Sequence, residues 1–256
     1  ITFEDLSVPY DGTAKSLTFI GTGDSITFSY NGNNYAALPS FTTAGSYPVT
    51  VTVKRKNYND FVKTATLTIE ALPIEGITVT GFIGLYDGTA HGANITGLLA
   101  GDTVEYKVDD DSFETTAPTF TAVGKHTITV RISRPNYKTF TAVADIEIRP
   151  AMISDVRVYG YHGSVQNAPK TVTLEGVRAT DTVTYSINGN NYTDTAPTFD
   201  TVGTHKVWVK VSRANHADAV YMTRVVLTTE AAAPLFSLSL RRGLTESADH
   251  KKALSE

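Results

Sequence analysis

Tyr10-Asp11-Gly12-Thr13-Ala14 returns unchanged as Tyr86-Asp87-Gly88-Thr89-Ala90, and a worn third copy stands at Tyr161-His162-Gly163. The tyrosines lie 76 and then 75 residues apart, from 10 to 86 and from 86 to 161. A fixed interval of this size marks a repeat architecture, in which each copy is one structural unit. Each copy opens with a strand-like run: Ile1 to Leu6, Ile77 to Phe82 and Ile153 to Tyr159.

Working outward, further markers recur in one order. Gly23-Asp24-Ser25 matches Gly101-Asp102-Thr103 and Thr180-Asp181-Thr182; Tyr35, Phe113 and Tyr192 follow. Then come Phe41, Phe120 and Phe199, each in a Pro-x-Phe step, and Gly45, Gly124 and Gly203. Each block closes on Arg55-x-Asn57-Tyr58, Arg134-x-Asn136-Tyr137 or Arg213-x-Asn215-His216. The markers define repeats at 1–73, 74–150 and 151–229, and a non-repeat segment at 230–256 that reads as a linker or an expression remnant.

Inside a copy the apolar period is two. Val49, Val51 and Val53 alternate with polar residues, as do Ile128, Val130 and Ile132, and Val207, Val209 and Val211; this is the pattern of a half-buried strand. Asn31-Gly32 and Asn188-Gly189 carry the dipeptide of tight hairpins, because both turn residues tolerate positive φ. No helical stripe interrupts these runs. The expected fold is all-β: three tandem antiparallel β-sandwich domains in an elongated arrangement, joined by short Pro-bearing linkers at Leu72-Pro73 and Arg149-Pro150. Tyr10, Tyr86 and Tyr161, with Gly12, Gly88 and Gly163 at the turns, are structural markers. Together with Phe28, Tyr106, Tyr185 and the three matched Phe residues, their rings are expected to fill the cores.

Composition narrows the function. The chain has 256 residues, a net charge of −4 and no cysteine, which rules out disulfides and thiolate chemistry and makes nucleic acid a poor partner. No apolar run of membrane-spanning length occurs, and a first residue of Ile reads as an excised piece of a longer protein. By repeat, the basic and acidic residues number 5 and 6, 6 and 10, and 7 and 6, so no charged face recurs.

Taken as a set, these markers resemble the bacterial Ig-like repeats of the MBG type, modules of large extracellular proteins. The clearest carriers are Tyr86 to Ala90, Gly101 to Thr103, Ala117 to Phe120 and Arg134 to Tyr137, and the likeness covers residues 1–229. The resemblance implies a monomeric, non-catalytic stalk or spacer of a secreted or surface-anchored bacterial protein. It implies no cofactor, no metal and no membrane insertion, and an extracellular place. The alternative reading is an adhesin or carbohydrate-binding module that contacts a glycan or host surface protein; a third is a spacer within a secreted polysaccharide-degrading enzyme. His162 and His216 in the third copy depart from the pattern.

Candidate chemistry is thin. Gly23-Asp24-Ser25 matches the nucleophile motif of some esterases, but its equivalents end in Thr and lead into strands, so it reads as a turn. Asp109-Asp110-Asp111 aligns with Asn-Gly-Asn hairpin tips and reads as a solvated turn rather than a Ca²⁺ site. The recurring Arg and Asn beyond the main strand read as a turn, with Asn bonding local backbone and Arg over an aromatic ring. No Lys recurs at one core position, which argues against isopeptide crosslinks, and Asn94 and Asn191 fit only the short glycosylation pattern. Trp208, the single Trp, replaces Thr50 and Thr129 at an outward strand position and is the one residue expected to bind a ligand.

Overall fold

The structure, a computed structural model, describes residues 1–166 and 169–229; the expectation of a linker at 230–256 lies outside the described residues. Among the described residues every regular element is a strand. Two compact units emerge: Ile1–Gly84 with Gly88–Ile148, and Leu85–Asp87 with the described residues from Arg149 on.

The alternating runs form ten-residue antiparallel hairpins. Gly45–Lys54 pairs with Phe61–Glu70, Gly124–Ser133 with Phe140–Arg149, and Gly203–Ser212 with Ala219–Thr228. Strand Ser25–Tyr30, Thr103–Val108 or Thr182–Ser186 flanks each hairpin on one side, and Leu6–Pro9, Phe82–Leu85 or Tyr161–Ser164 on the other. A second layer consists of short antiparallel pairs: Thr2–Phe3 with Phe19–Ile20, Thr78–Thr80 with Asn94–Thr96, and Arg157–Tyr159 with Thr173–Glu175. The expected all-β sandwich is present.

The single opening strand foreseen in each copy is in fact two. The chain pairs first in the small layer and then crosses to the large sheet, where Leu6–Pro9 runs parallel to Phe61–Glu70 and Tyr161–Ser164 parallel to Ala219–Thr228. At the crossing, Gly81 and Gly160 press against the backbone of Asp145 and Arg224; a Cβ there would overlap the carbonyl oxygen. These glycines are required by close approach, not by a turn.

Val49, Val51, Val53, Ala65, Leu67 and Ile69, with Phe28 beside Val51 on the neighbouring strand, form the buried centre of the first sheet's inner face, and Phe3 and Leu17 pack against them. In the third sheet the same places are taken by Val207, Val209, Val211, Val225 and Leu227, with Ile153, Val156 and Val172 opposite. Burying one such side chain contributes roughly 1.5–3 kcal/mol. The core is thus mainly aliphatic. Phe41, Phe120 and Phe199 line its edge, half-buried, each stacked on the ring at the third position of the following strand: Tyr47 at 4.0 Å, His126 at 3.8 Å and His205 at 4.4 Å. The first core also takes rings: Phe3 and Phe28 are buried in it and meet each other and Phe19 at 5.5–6.2 Å.

One of the two Asn-Gly hairpins holds. Asn31 and Gly32 take φ of 47° and 77° between paired strands, as a two-residue turn demands. At Asn188-Gly189 only the glycine is left-handed, at 79°. The Ser186 hydroxyl accepts from the Asn188 and Gly189 amides at 3.2 and 2.9 Å, and Asn188 Oδ1 accepts from Asn190 and Asn191, so a wider loop replaces the tight turn. The longer loops also shift the next aromatic. Tyr35 stands opposite Phe28, but Glu114 and Thr193 stand opposite Tyr106 and Tyr185. Phe113 and Tyr192 turn outward, under Arg131 at 3.9 Å and Lys210 at 5.3 Å.

Replacing Gly160 by Ala is expected to destabilise the third sheet by roughly 1–3 kcal/mol, the cost of forcing atoms into a packed site. Chemical denaturation should show the loss, while Gly32→Ala, which meets no neighbour, should lose only the smaller cost of a left-handed alanine.

Candidate functional site

The residues that recur at the end of each copy gather around one turn. The Tyr58, Tyr137 and His216 amides donate back to the carbonyls of Arg55, Arg134 and Arg213 at 3.0–3.1 Å, and Asn57, Asn136 and Asn215 take φ of 63°, 69° and 61°. A left-handed third residue in a four-residue turn is the type II pattern, and Asn tolerates it without a glycine. The recurrence of Asn is therefore conformational.

Arg134 and Arg213 do more than lie over a ring. Arg134 Nε and Nη2 donate to Asp102 Oδ1 and Oδ2 at 2.6 and 2.9 Å, a bidentate fork, while the guanidinium also stands 5.1 Å from the Tyr137 ring centroid. Arg213 repeats the fork on Asp181 at 2.8 and 2.9 Å and uses Nη1 to hold Asp155. The pair is buried: the side chain of Asp181 is 0% exposed and that of Arg213 5%. Asp102 and Asp181 also cap their own loops, accepting from the Leu99 and Arg178 amides at 2.8 and 2.9 Å. The Arg134 fork, then the Leu99 amide, holds the Asp102 carboxyl down to about 2 from an ordinary 3.8. The Arg213 fork does the same for Asp181, and Arg213 is itself pushed up by Asp181.

In the first copy this pair is absent. Arg55 reaches the Thr22 carbonyl and hydroxyl at 3.0 Å instead, and Asp24 accepts from the Lys56 amide. The cause is length: Gly97 to Asp102 and Gly176 to Asp181 span five residues, Gly21 to Asp24 only three, so the capping loop cannot form. Sequence reasoning read the Asp and the Arg as separate turn residues. Their joint recurrence at a spacing of 32, from 102 to 134 and from 181 to 213, was the signal for a pair.

The same turn receives a neighbouring segment. Asn136 Oδ1 accepts from the Ala44 amide at 2.8 Å and the Asn136 carbonyl from the Leu72 amide at 3.3 Å; Leu72–Pro73 pairs in parallel with Tyr137–Lys138. Tyr10, from the motif that opens the first copy, meets the Tyr137 ring edge-on at 6.1 Å. Within the second unit the Asn215 carbonyl accepts from Ala151, Ala217 donates back to Ala151, and Tyr86 meets His216 edge-on at 5.6 Å. Asn136 thus bonds a distant amide, not its local backbone as expected. Tyr10 serves this turn as well as its own core, and Tyr86 serves the turn of His216, whereas Tyr161 packs against the third core with Lys170 over its ring at 5.2 Å. Gly12 and Gly88 supply φ near 80° at the motif's turn; Gly163 sits in a strand.

Trp208 stands on the outward face of the third sheet, between Ser186 and Met222 across the ladder, and is half-buried because the Gly189 loop lies on its indole. Met222, 50% exposed, and Val220 extend an apolar strip beside it, and Lys206, Lys210 and Arg224 share that face. At the matching place the first sheet has a Thr50–Thr64 hydrogen bond of 2.7 Å. Asp109 to Asp111 form an exposed hairpin tip, with Asp109 at φ 47° and accepting from Thr127. Among the described residues no cluster of His, Asp or Glu is arranged to hold a metal ion, and no helix is long and apolar enough to cross a membrane.

The family model described as MBG domain matches residues 1–72 and 76–152. No curated protein sequence matches the chain. Similar solved structures include the N-terminal eight Ig domains of the Down Syndrome Cell Adhesion Molecule, at 12% identity and TM-score 0.31, covering 89% of this chain and 36% of that one. A tetra-tandem repeat in the extending region of a large adhesion protein aligns at 17% and 0.32, covering 80% and 66%. A Ca²⁺-stabilized adhesin by which an Antarctic bacterium binds ice aligns at 16% and 0.27, covering 89% and 72%. The chain spans little more than a third of the first of these proteins and about two thirds of the second.

Because the Asp102 and Asp181 carboxyls titrate below 3.8 when folded, folding releases protons: their contribution is complete above pH 4 and is lost as pH falls through about 2. The thermal midpoint should fall over that window, and the double variant Asp102→Asn, Asp181→Asn should start lower at pH 7 and fall less steeply.

Proposed function

The chain belongs to the MBG domain family, and from that premise we propose that it is a non-catalytic spacer of a bacterial secreted or surface-anchored protein, holding an adhesive or other functional module away from the cell envelope. One observation carries the reading. The side chains that recur from copy to copy are spent on cores and on the turn that receives the neighbouring segment, while the outward faces diverge from threonine-rich to acidic to basic. A spacer needs reproducible joints and places no common demand on its sides. Three modules at 1–73, 74–150 and 151–229, set end to end outside the cell, are the arrangement this reading requires.

A ten-residue strand is roughly 33 Å long, so three in line reach about 100 Å, with a radius of gyration of about 29 Å. A compact chain of this length would have about 18 Å. Small-angle scattering distinguishes the two, and the compact value would sink the proposal.

A second reading rests on Trp208. Its half-exposed indole, the strip of Met222 and Val220, and the cations Lys206, Lys210 and Arg224 form a surface suited to stacking on a sugar ring or packing on a host protein. If this face binds, a glycan and host-matrix array should show a ligand that Trp208→Ala loses at least about tenfold, the scale of one stacking contact. An array with no ligand for the intact chain eliminates the reading and leaves the spacer.

A further inference from the structure

An open cleft of about 490 Å³ lies at the Arg55 turn of the first copy, lined by Ile1, Ile20, Val53, Arg55, Tyr58 and Phe61. Tyr58 is 72% exposed beside it. Its equivalents are covered. Tyr137 and Lys138 pair with Leu72–Pro73, and His216 bridges to Ala151. The residue two places beyond each covering position, Ile74 or Ile153, is buried to 6% or 7% exposure, and Ile153 packs in one cluster with Val211, the counterpart of Val53.

We infer that this cleft is the seat of a short extended peptide segment carrying a branched aliphatic residue, of the kind Leu72-Pro73-Ile74, and not a small-molecule pocket. The segment lies along Tyr58-Asn59 in parallel, donates one amide to the Asn57 carbonyl, accepts from the Asn59 amide, and sets its aliphatic side chain over Val53. Each of those contacts has a filled example: Leu72 to Asn136, Ala217 to Ala151, and Ile153 among the third core. The inference stands on the three copies compared with one another, whether or not the chain is a spacer.

A glycine varies in step with the seat. Gly97 and Gly176 take φ of 87° and 78° and lie against the carbonyls of Gly76 and Asp155, on the stretch just after the seated segment. Gly21, their counterpart, is not left-handed and lies against Ile1 and Phe19 instead. The left-handed glycine thus accompanies the seated segment in the second and third copies, where the loop that follows it is also two residues longer.

The register sets the test. Tyr58 matches Tyr137 and Phe3 matches Val79, so a copy of the six residues Ala71 to Gly76 joined directly ahead of Ile1 places its isoleucine at the seat. The full chain so extended should show slower amide exchange at Asn59, by about tenfold or more, a higher thermal midpoint and changed Gly21 resonances. The same extension with aspartate in place of that isoleucine should show none of these. If both extended chains behave alike, or if Asn59 exchange is unchanged in the first, the inference is overturned; neither result bears on scattering or on the glycan array.

Discussion

Everything in this molecule hangs on the two-residue period of three long hairpins. Val49, Val51 and Val53 face inward because strand geometry sends alternate side chains to opposite faces, and Ala65, Leu67 and Ile69 meet them from the partner strand. A slip of one residue would expose all six, so the register is fixed by burial alone, without a disulfide. The Arg-x-Asn turn then closes each hairpin, with a left-handed Asn at its third position.

The Asp–Arg ion pair continues the ladder past the point where its backbone hydrogen bonds end. Asp102 and Asp181 stand directly before Thr103 and Thr182, which pair with Ser133 and Ser212, so each fork adds a side-chain rung at the end of its ladder, and Arg213 reaches on to Asp155, ahead of the small layer. Because both partners are nearly dry, removing either leaves a charge with no water to solvate it, which makes the pair stringent even where its net contribution is modest. The first copy, two residues shorter in the loop ahead of its aspartate, does without it, and its end is correspondingly open.

What could be read from the sequence was local or repeated. The hairpins followed from alternation, and the turn at Asn31-Gly32 from its two φ-tolerant residues. Asn188-Gly189 misled because the Ser186 hydroxyl captured the turn amides, a competition the dipeptide does not reveal. The Asp–Arg forks escaped because each half, taken alone, has an adequate turn explanation. Of the rings expected in the cores, Phe28 is buried there, whereas Phe41, Phe120 and Phe199 stack in pairs at the edge, where His126 and His205 serve as well as Tyr47. Trp208 was rightly read as outward-pointing, but nothing in its own strand foretold the loop of Gly189 resting on it.

The parallel pairing of Leu6–Pro9 with Phe61–Glu70, and of Tyr161–Ser164 with Ala219–Thr228, has a mechanical meaning. Strands from the beginning and the end of one module lie side by side and point the same way. Tension drawn along the polypeptide slides them past one another, so the rungs between them share the load at once instead of tearing in succession like a zip. A module built this way resists stretching most strongly along its own strands.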